Sequence, residues 1–171
     1  TFWLIRMVLM TTYLLGEVPF KTVYLHGLVR DEKGRKMSKS LGNIINPLDV
    51  CEKYGTDAVR LSLMIGSTPG NDSKLSEEKI ASYRNFANKL WNAGRLVLSA
   101  VERAPAEMEA EIEPTLPDRW ILTRLDQLIR DVDRLFESHQ YGEAGRQVYE
   151  YFWSEFADWY LEIAKQQLGE G

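Results

Sequence analysis

The chain carries one cysteine in 171 residues, Cys51, so no internal disulfide can brace it. That usage fits a reducing cytoplasm, and Cys51 reads as a small buried apolar residue. No apolar run is long enough to cross a bilayer. The opening "TFWLIRMVLMTTYLLG" is too short, carries Arg6, and has no small-residue cleavage pattern. A buried helix is the expected form of that segment, and its start on Thr1, mid-run and uncapped, reads as a piece of a longer protein. Positive charge is also scarce. A net charge of −4 excludes non-specific nucleic-acid binding by global attraction and leaves any such contact to local basic patches. No internal repeat is found. The 44% apolar content is ordinary for a soluble globular chain with one sizeable core or two small ones.

Against that acidic background stands "GRKMSKSLGN", residues 34 to 43, in which two lysines and an arginine sit among glycines and serines. A basic loop alone is most often a solvated surface, so its flanks decide its meaning. Before it, "PFKTVYLHGLV" (19 to 29) is a β-branched and aromatic run, as expected of a strand buried on both faces. After it come two short helices, "NPLDVCEKYG" and "TDAVRLSLMIG", punctuated by Pro47, Gly55 and Gly66, with Thr56 as candidate N-cap. A basic, glycine-flanked loop at the carboxyl end of a buried parallel strand lies where open α/β sheets bind ligands. Lys36 and Lys39 would set ammonium groups against a polyphosphate, and Ser38, Ser40 and the loop amides would add neutral donors. Gly34 and Gly42 would let the loop open and close. With so little apolar surface to bury, residues 30 to 43 are expected to be poorly ordered or open without ligand.

Downstream the pattern changes. "STPGNDSKL" is turn-rich and reads as a boundary near Pro69. From Ser76 to about Arg103, Ile80, Tyr83, Ala87, Leu90, Gly94, Val97 and Val101 mark one face of a long helix. Asn85, Asn88, Asn92 and Arg95 form a polar stripe on another side of it. Residues 104 to 117 read as a mobile acidic linker. Two further helices follow, one with Trp120, Leu125, Leu128, Val132 and Leu135 on one side, the other with Phe152, Phe156, Trp159 and Ile163 at helical spacing. The surrounding aromatic cluster, Tyr149 to Tyr160, reads as core rather than as a base-stacking platform. The fold class is mainly α: a Rossmann-type α/β remnant (1–70) followed by a helical bundle (71–171).

The string "KMSKS" matches the second signature of class I aminoacyl-tRNA synthetases, and "TVYLHGLVRDEKGRKMSKSLGN" resembles the valyl-tRNA synthetases. So do "NPLDVCEKYGTDAVRLSLMIGSTPGNDSKLSEEKI", "YRNFANKLWNAGR", "LPDRWILTRL", "YGEAG" and "FADWYLEIAK", so that all but the acidic linker is covered. The resemblance implies ATP-dependent activation of valine and its transfer to tRNA, with ATP and Mg2+ as substrate and no tightly bound cofactor or metal site. It also implies a cytoplasmic, monomeric parent with no membrane partner. It carries the transition-state role to Lys39, with Lys36, Met37, Ser38 and Ser40 as the rest of the mobile loop. His26 and Gly27 fall on the adenine side, and Trp3 becomes a candidate wall of the amino-acid pocket. Lys74, Lys79, Arg84 and Arg95, on or near the first long helix, are candidate contacts to the tRNA backbone. Neither the family's His-x-Gly-His element nor its editing domain is present, so the chain alone is expected to be inactive. An isoleucine or leucine enzyme, or a non-catalytic helical RNA-binding module, remain the alternative readings.

Overall fold

The computed structural model describes residues 2–103 and 113–169. Helix α1 (Phe2–Leu15) leads into an extended segment that becomes β1 (Val29–Arg30). The 30–43 loop follows, ending in a short 3₁₀ turn at Lys39–Leu41, and then α2 (Pro47–Tyr54) and α3 (Thr56–Met64). Strand β2 (Ser73–Lys74) precedes the long helix α4 (Glu77–Arg103). Helix α5 (Leu116–Glu137) turns back through His139 into α6 (Tyr141–Glu150), a π-helical segment (Tyr151–Tyr160) and α7 (Leu161–Gln167). No strand occurs beyond Ser76 among the described residues.

Local chemistry explains most helix ends. Asn46 caps α2 by accepting from Leu48 N at 3.2 Å, with Pro47 at the first helical position. Thr115 and Asp118 form a reciprocal capping box on α5. That box corrects the linker's end: Leu116 and Pro117 belong to the helix, and residues 104–112 lie outside the described residues. Helix α3 begins at Thr56, but the capping position is Gly55, and the threonine side chain makes no cap bond.

Two small cores form. The first joins Val50, Ala58, Val59, Leu75 and Ile80, with Met37, Ile45, Cys51, Tyr54 and Tyr83 packed on it. Cys51 is therefore half-buried rather than buried. The second joins Ala93, Ala157 and Leu161, with Leu96, Phe152 and Phe156. Between them Phe86 packs its ring 4.6 Å from that of Tyr149 and 5.6 Å from that of Phe152.

Several expectations are corrected. Helix α1 forms, but none of its residues is buried. The expected strand at 19–29 shrinks to Val29–Arg30, and Val23, Leu25 and Leu28 are exposed. A strand needs a neighbouring edge, and β2 meets this one only at its last two residues. The long helix α4 has the right extent but a rotated face. Ile80, Phe86 and Ala93 are buried, whereas Leu90, Gly94, Val97 and Val101 are exposed. Both rotations carry apolar residues, and contact with the π segment selects one of them. In α5 Leu135 is buried as expected, but its buried partner near the start is Ile121 rather than Trp120, and Trp159 of the π segment is exposed. The turn-rich segment near Pro69 is itself tied back: Gly70 N donates to Leu25 O at 2.8 Å and Ser73 N to Leu28 O at 2.9 Å.

The rotated face has a direct check. Ile80→Ala, at a fully buried position, should cost about 2–5 kcal/mol of stability, whereas Leu98→Ala on the exposed side should change it by no more than about 0.5 kcal/mol. Urea titration of both variants reads the difference, and equal losses would place the core on the other face.

Candidate functional site

The loop after β1 is built on Asp31. Gly34 N donates to Asp31 O at 2.9 Å, closing a tight turn in which Gly34 takes φ 75°, a region open to glycine but strained for other residues. Asp31 N donates to Arg35 O at 3.0 Å, and Arg30 and Lys36 pair antiparallel across the turn. The Asp31 carboxylate is buried, 6% exposed, yet fully engaged. It accepts from Arg35 N at 2.7 Å, from Arg35 Nε at 2.8 Å and from Asn43 Nδ2 at 2.9 Å. These bonds hold its pKa at about 2: the Asn43 amide contributes most, partial desolvation opposes it, and the Arg35 amide and guanidinium add to the lowering.

Asn43 in turn accepts from Ser38 N at 2.9 Å and approaches Lys36 O at 3.3 Å with its amide nitrogen. Met37, between those two bonds, packs against the first core. Beyond it Ser38 Oγ accepts from Leu41 N, and Gly42, with φ 62°, closes the 3₁₀ turn by donating to Lys39 O at 3.2 Å. Lys36, Lys39 and Ser40 point into solvent. Neither lysine ammonium meets a hydrogen-bonding or ionic partner among the described residues. Polar bonds and one methionine secure the base of the loop, where apolar burial could not.

His26 and Gly27 lie upstream of the loop. The exposed imidazole donates from Nδ1 to Gly27 O at 2.8 Å, and an added Cβ at Gly27 would overlap the backbone of Asn71. They line an open pocket of about 450 Å3 with Tyr24, Arg60, Met64 and Asn71 that residues 36–40 do not share. Trp3 stands 74% exposed on α1 beneath the Arg6 guanidinium, so no pocket closes around it. The four candidate tRNA contacts differ in setting. Lys74 is exposed and lays its Cε over Gly34, 3.3 Å from where a Cβ would stand, which puts it beside the loop. Lys79 turns inward toward Ile65 O, 3.4 Å away, and burial lowers its pKa. Arg84 lies 5.8 Å over the Tyr54 ring, and Arg95 lines an apolar groove with Arg60, Leu90 and Trp91.

Three residues escaped the sequence reading. Asp31 and Asn43 are two, although an Asp followed three residues later by Gly is a turn signature that could have flagged the first. Asp72 is the third. It accepts from Leu28 N at 2.8 Å and pairs with Arg30 Nε, and these bonds lower its pKa, the Leu28 amide most. No group of three or more His, Cys, Asp or Glu residues among the described residues is arranged to hold a metal, and no described helix is long and apolar enough to cross a membrane.

The Asp31 network implies a pH signature. A carboxylate held below its ordinary 3.8 contributes stability that is complete above that value and is lost as pH falls toward about 2. The stability difference between the wild type and Asp31→Asn should therefore shrink on acidification through that window. A difference that stays constant in urea titrations across the same range would show that the charge is not what the network uses.

The family described as tRNA synthetases class I (I, L, M and V) matches residues 1–76, and the anticodon-binding domain of tRNA ligase matches residues 118–171. The chain is 52% identical over 167 residues to the valine–tRNA ligase of Dehalococcoides mccartyi strain CBDB1, covering 98% of this chain and 19% of that protein. It is 51% identical over 168 residues to the valine–tRNA ligase of Enterococcus faecalis, again covering 98% and 19%. It thus spans about a fifth of the length of the curated relatives it matches. Among solved structures it resembles the LeuRS of Agrobacterium radiobacter K84 in a ternary complex with tRNA and LeuAMS, with a TM-score of 0.68 and 25% identity over 98% of this chain and 23% of that one. It also resembles methionyl-tRNA synthetase of Mycobacterium tuberculosis bound by methionyl-adenylate, with a TM-score of 0.67 and 27% identity over 84% of this chain and 28% of that one. The two matched segments, in this order on one chain and with half the residues shared with valine–tRNA ligases, establish that the chain belongs to the class I aminoacyl-tRNA synthetases, joining part of the catalytic fold to part of the anticodon-binding domain.

Proposed function

We propose that this chain is the part of a valine–tRNA ligase that supplies the phosphate-side loop and a tRNA-binding helical bundle. The observation that carries the reading is the loop itself: "KMSKS" with two exposed ammonium groups that meet no partner among the described residues, on a backbone secured from beneath. In the reaction a valine carboxylate oxygen attacks the α-phosphorus of ATP, presented with Mg2+, and the bond to the pyrophosphate oxygen breaks. Lys39, with Lys36 beside it, stabilises the charge that develops on that leaving group, and Met37, Ser38 and Ser40 complete the loop. His26 and Gly27 serve the adenine side, and Trp3 takes part in the amino-acid pocket once the rest of the catalytic fold stands against α1.

In this reading residues 1–70 are catalytic and 71–171 form the anticodon-binding unit, with the acidic stretch inside that second unit, ahead of α5. Lys74, Lys79, Arg84 and Arg95 meet the tRNA backbone. Lys74, Arg84 and Arg95 offer exposed charge, while Lys79 would first have to leave Ile65 O. Valine is favoured over leucine or methionine because identity to the valine enzymes is about twice that to the solved leucine and methionine enzymes. The parent is a cytoplasmic monomer that binds ATP, valine and tRNA and no membrane.

Valine-dependent ATP–pyrophosphate exchange tests the role of the loop. In the full-length parent, Lys39→Ala should slow exchange about 10²–10³-fold with little change in valine KM, the scale of losing one preorganised charge at the transition state. Lys39→Arg should recover only part of the rate, since a planar guanidinium does not reproduce a compact ammonium. An undiminished rate in Lys39→Ala would overturn the assignment. The 171-residue chain by itself should catalyse no exchange while still binding tRNA with an affinity that falls as salt rises. Salt-independent binding would remove the proposed phosphate contacts.

A further inference from the structure

We infer that Asn43, held by the buried carboxylate of Asp31, is a positioning residue for the two loop lysines, and that this pair sets where their ammonium groups stand when the loop meets a polyphosphate. The inference rests on the function proposed above and assigns a role to residues outside the five-residue signature.

The geometry is specific. One amide side chain reaches both sides of Met37: its oxygen takes the Ser38 N–H at 2.9 Å, and its nitrogen faces Lys36 O at 3.3 Å while donating to Asp31 at 2.9 Å. Lys36 and Ser38 are thereby held to a single point, and Lys39 begins the turn that Ser38 caps. Asp31 gives that point a fixed place. Asp31 is 6% exposed, and Arg35 and Asn43 together satisfy its carboxylate. Its backbone continues directly from Arg30, which is paired with Lys74 in the ladder. The chain of support runs from the sheet to Asp31, from Asp31 to Asn43, and from Asn43 to the peptide groups on either side of Met37.

Donor and acceptor roles are both required. Asparagine supplies a nitrogen donor toward Asp31 and an oxygen acceptor toward Ser38 in one planar group. Aspartate fits the same space and keeps the acceptor, but it loses the donor and sets a second carboxylate against Asp31. Alanine loses both. A residue that merely filled space would tolerate the aspartate. A residue that positions the lysines would not, because displacing a charge by a fraction of an ångström is felt in the transition state more than in binding.

The test uses the full-length parent with Asn43→Ala and Asn43→Asp and takes two readings. Hydrogen–deuterium exchange of peptides covering Ser38 reports the loop backbone, and valine-dependent ATP–pyrophosphate exchange reports the chemistry. Both variants should expose the Ser38 amide and lower kcat about tenfold or more, with valine KM held within about twofold and thermal unfolding little changed. A Ser38 amide as protected in Asn43→Ala as in the wild type would overturn the inference. So would a wild-type kcat in either variant once that protection is lost, or full activity in Asn43→Asp. If the wild-type parent shows no valine-dependent exchange at all, the synthetase reading fails, and Ser38 protection alone then decides whether the clamp exists.

Discussion

A parallel ladder of two residues on each strand, Val29–Arg30 beside Ser73–Lys74, joins the loop-bearing segment to the helices. A pairing this short would be marginal by itself, and the contacts at its ends make up the difference. Gly27 lies so close to Asn71 that no side chain fits between them, and Asp72 binds the Leu28 amide and the Arg30 guanidinium together. One step along, Leu75 N donates to Arg30 O and the Leu75 side chain enters the first core beside Ile80. The ladder therefore ties the base of the "KMSKS" loop to the start of α4, and Lys74 ends up lying over Gly34. If the ladder were lost, Met37 would still tie the loop to the first core, but Asp31 would lose its anchor, through Arg30, on β2.

The helical half depends on a different device. The last long helix passes through ten π-helical residues, Tyr151–Tyr160, and leaves them where Leu161 N donates back to Phe156 O. The wider turn aligns residues five apart, so Phe152 and Ala157, and likewise Phe156 and Leu161, contribute to one core against Ala93 and Leu96. It also leaves polar links across the helices. Glu155 accepts from Nε and Nη2 of Arg124, Tyr151 donates to Ile121 O and Tyr160 to Asp118. The Arg124–Glu155 pair is partly exposed and adds little to stability, but its two-pronged geometry sets the rotation of α5 against the π segment. Lys89 lies 4.1 Å over the Trp153 ring and pairs with Asp158, which orients α4 in the same way.

What the sequence by itself determined was local. Helix extents followed mainly from 3.6-residue periodicity, with Pro47 marking the start of α2, whereas the Thr115–Asp118 box starts α5 two residues earlier than periodicity indicated. The loop was legible because five consecutive residues, Lys36 to Ser40, carry a chemistry that no composition or packing rule would produce by chance. Tertiary structure decided what depends on a neighbour. Periodicity allowed α4 either of two apolar faces, and only contact with the π segment turned Phe86 and Ala93 inward while leaving Leu90 and Val97 in solvent. The run at 19–29 has strand character, but strands are completed by an edge to pair with, and only its last two residues found one. The importance of Asp31 and Asn43 was hidden for the same reason: they stand twelve residues apart in the chain, and a hydrogen bond between side chains exists only once the backbone has brought them to 2.9 Å.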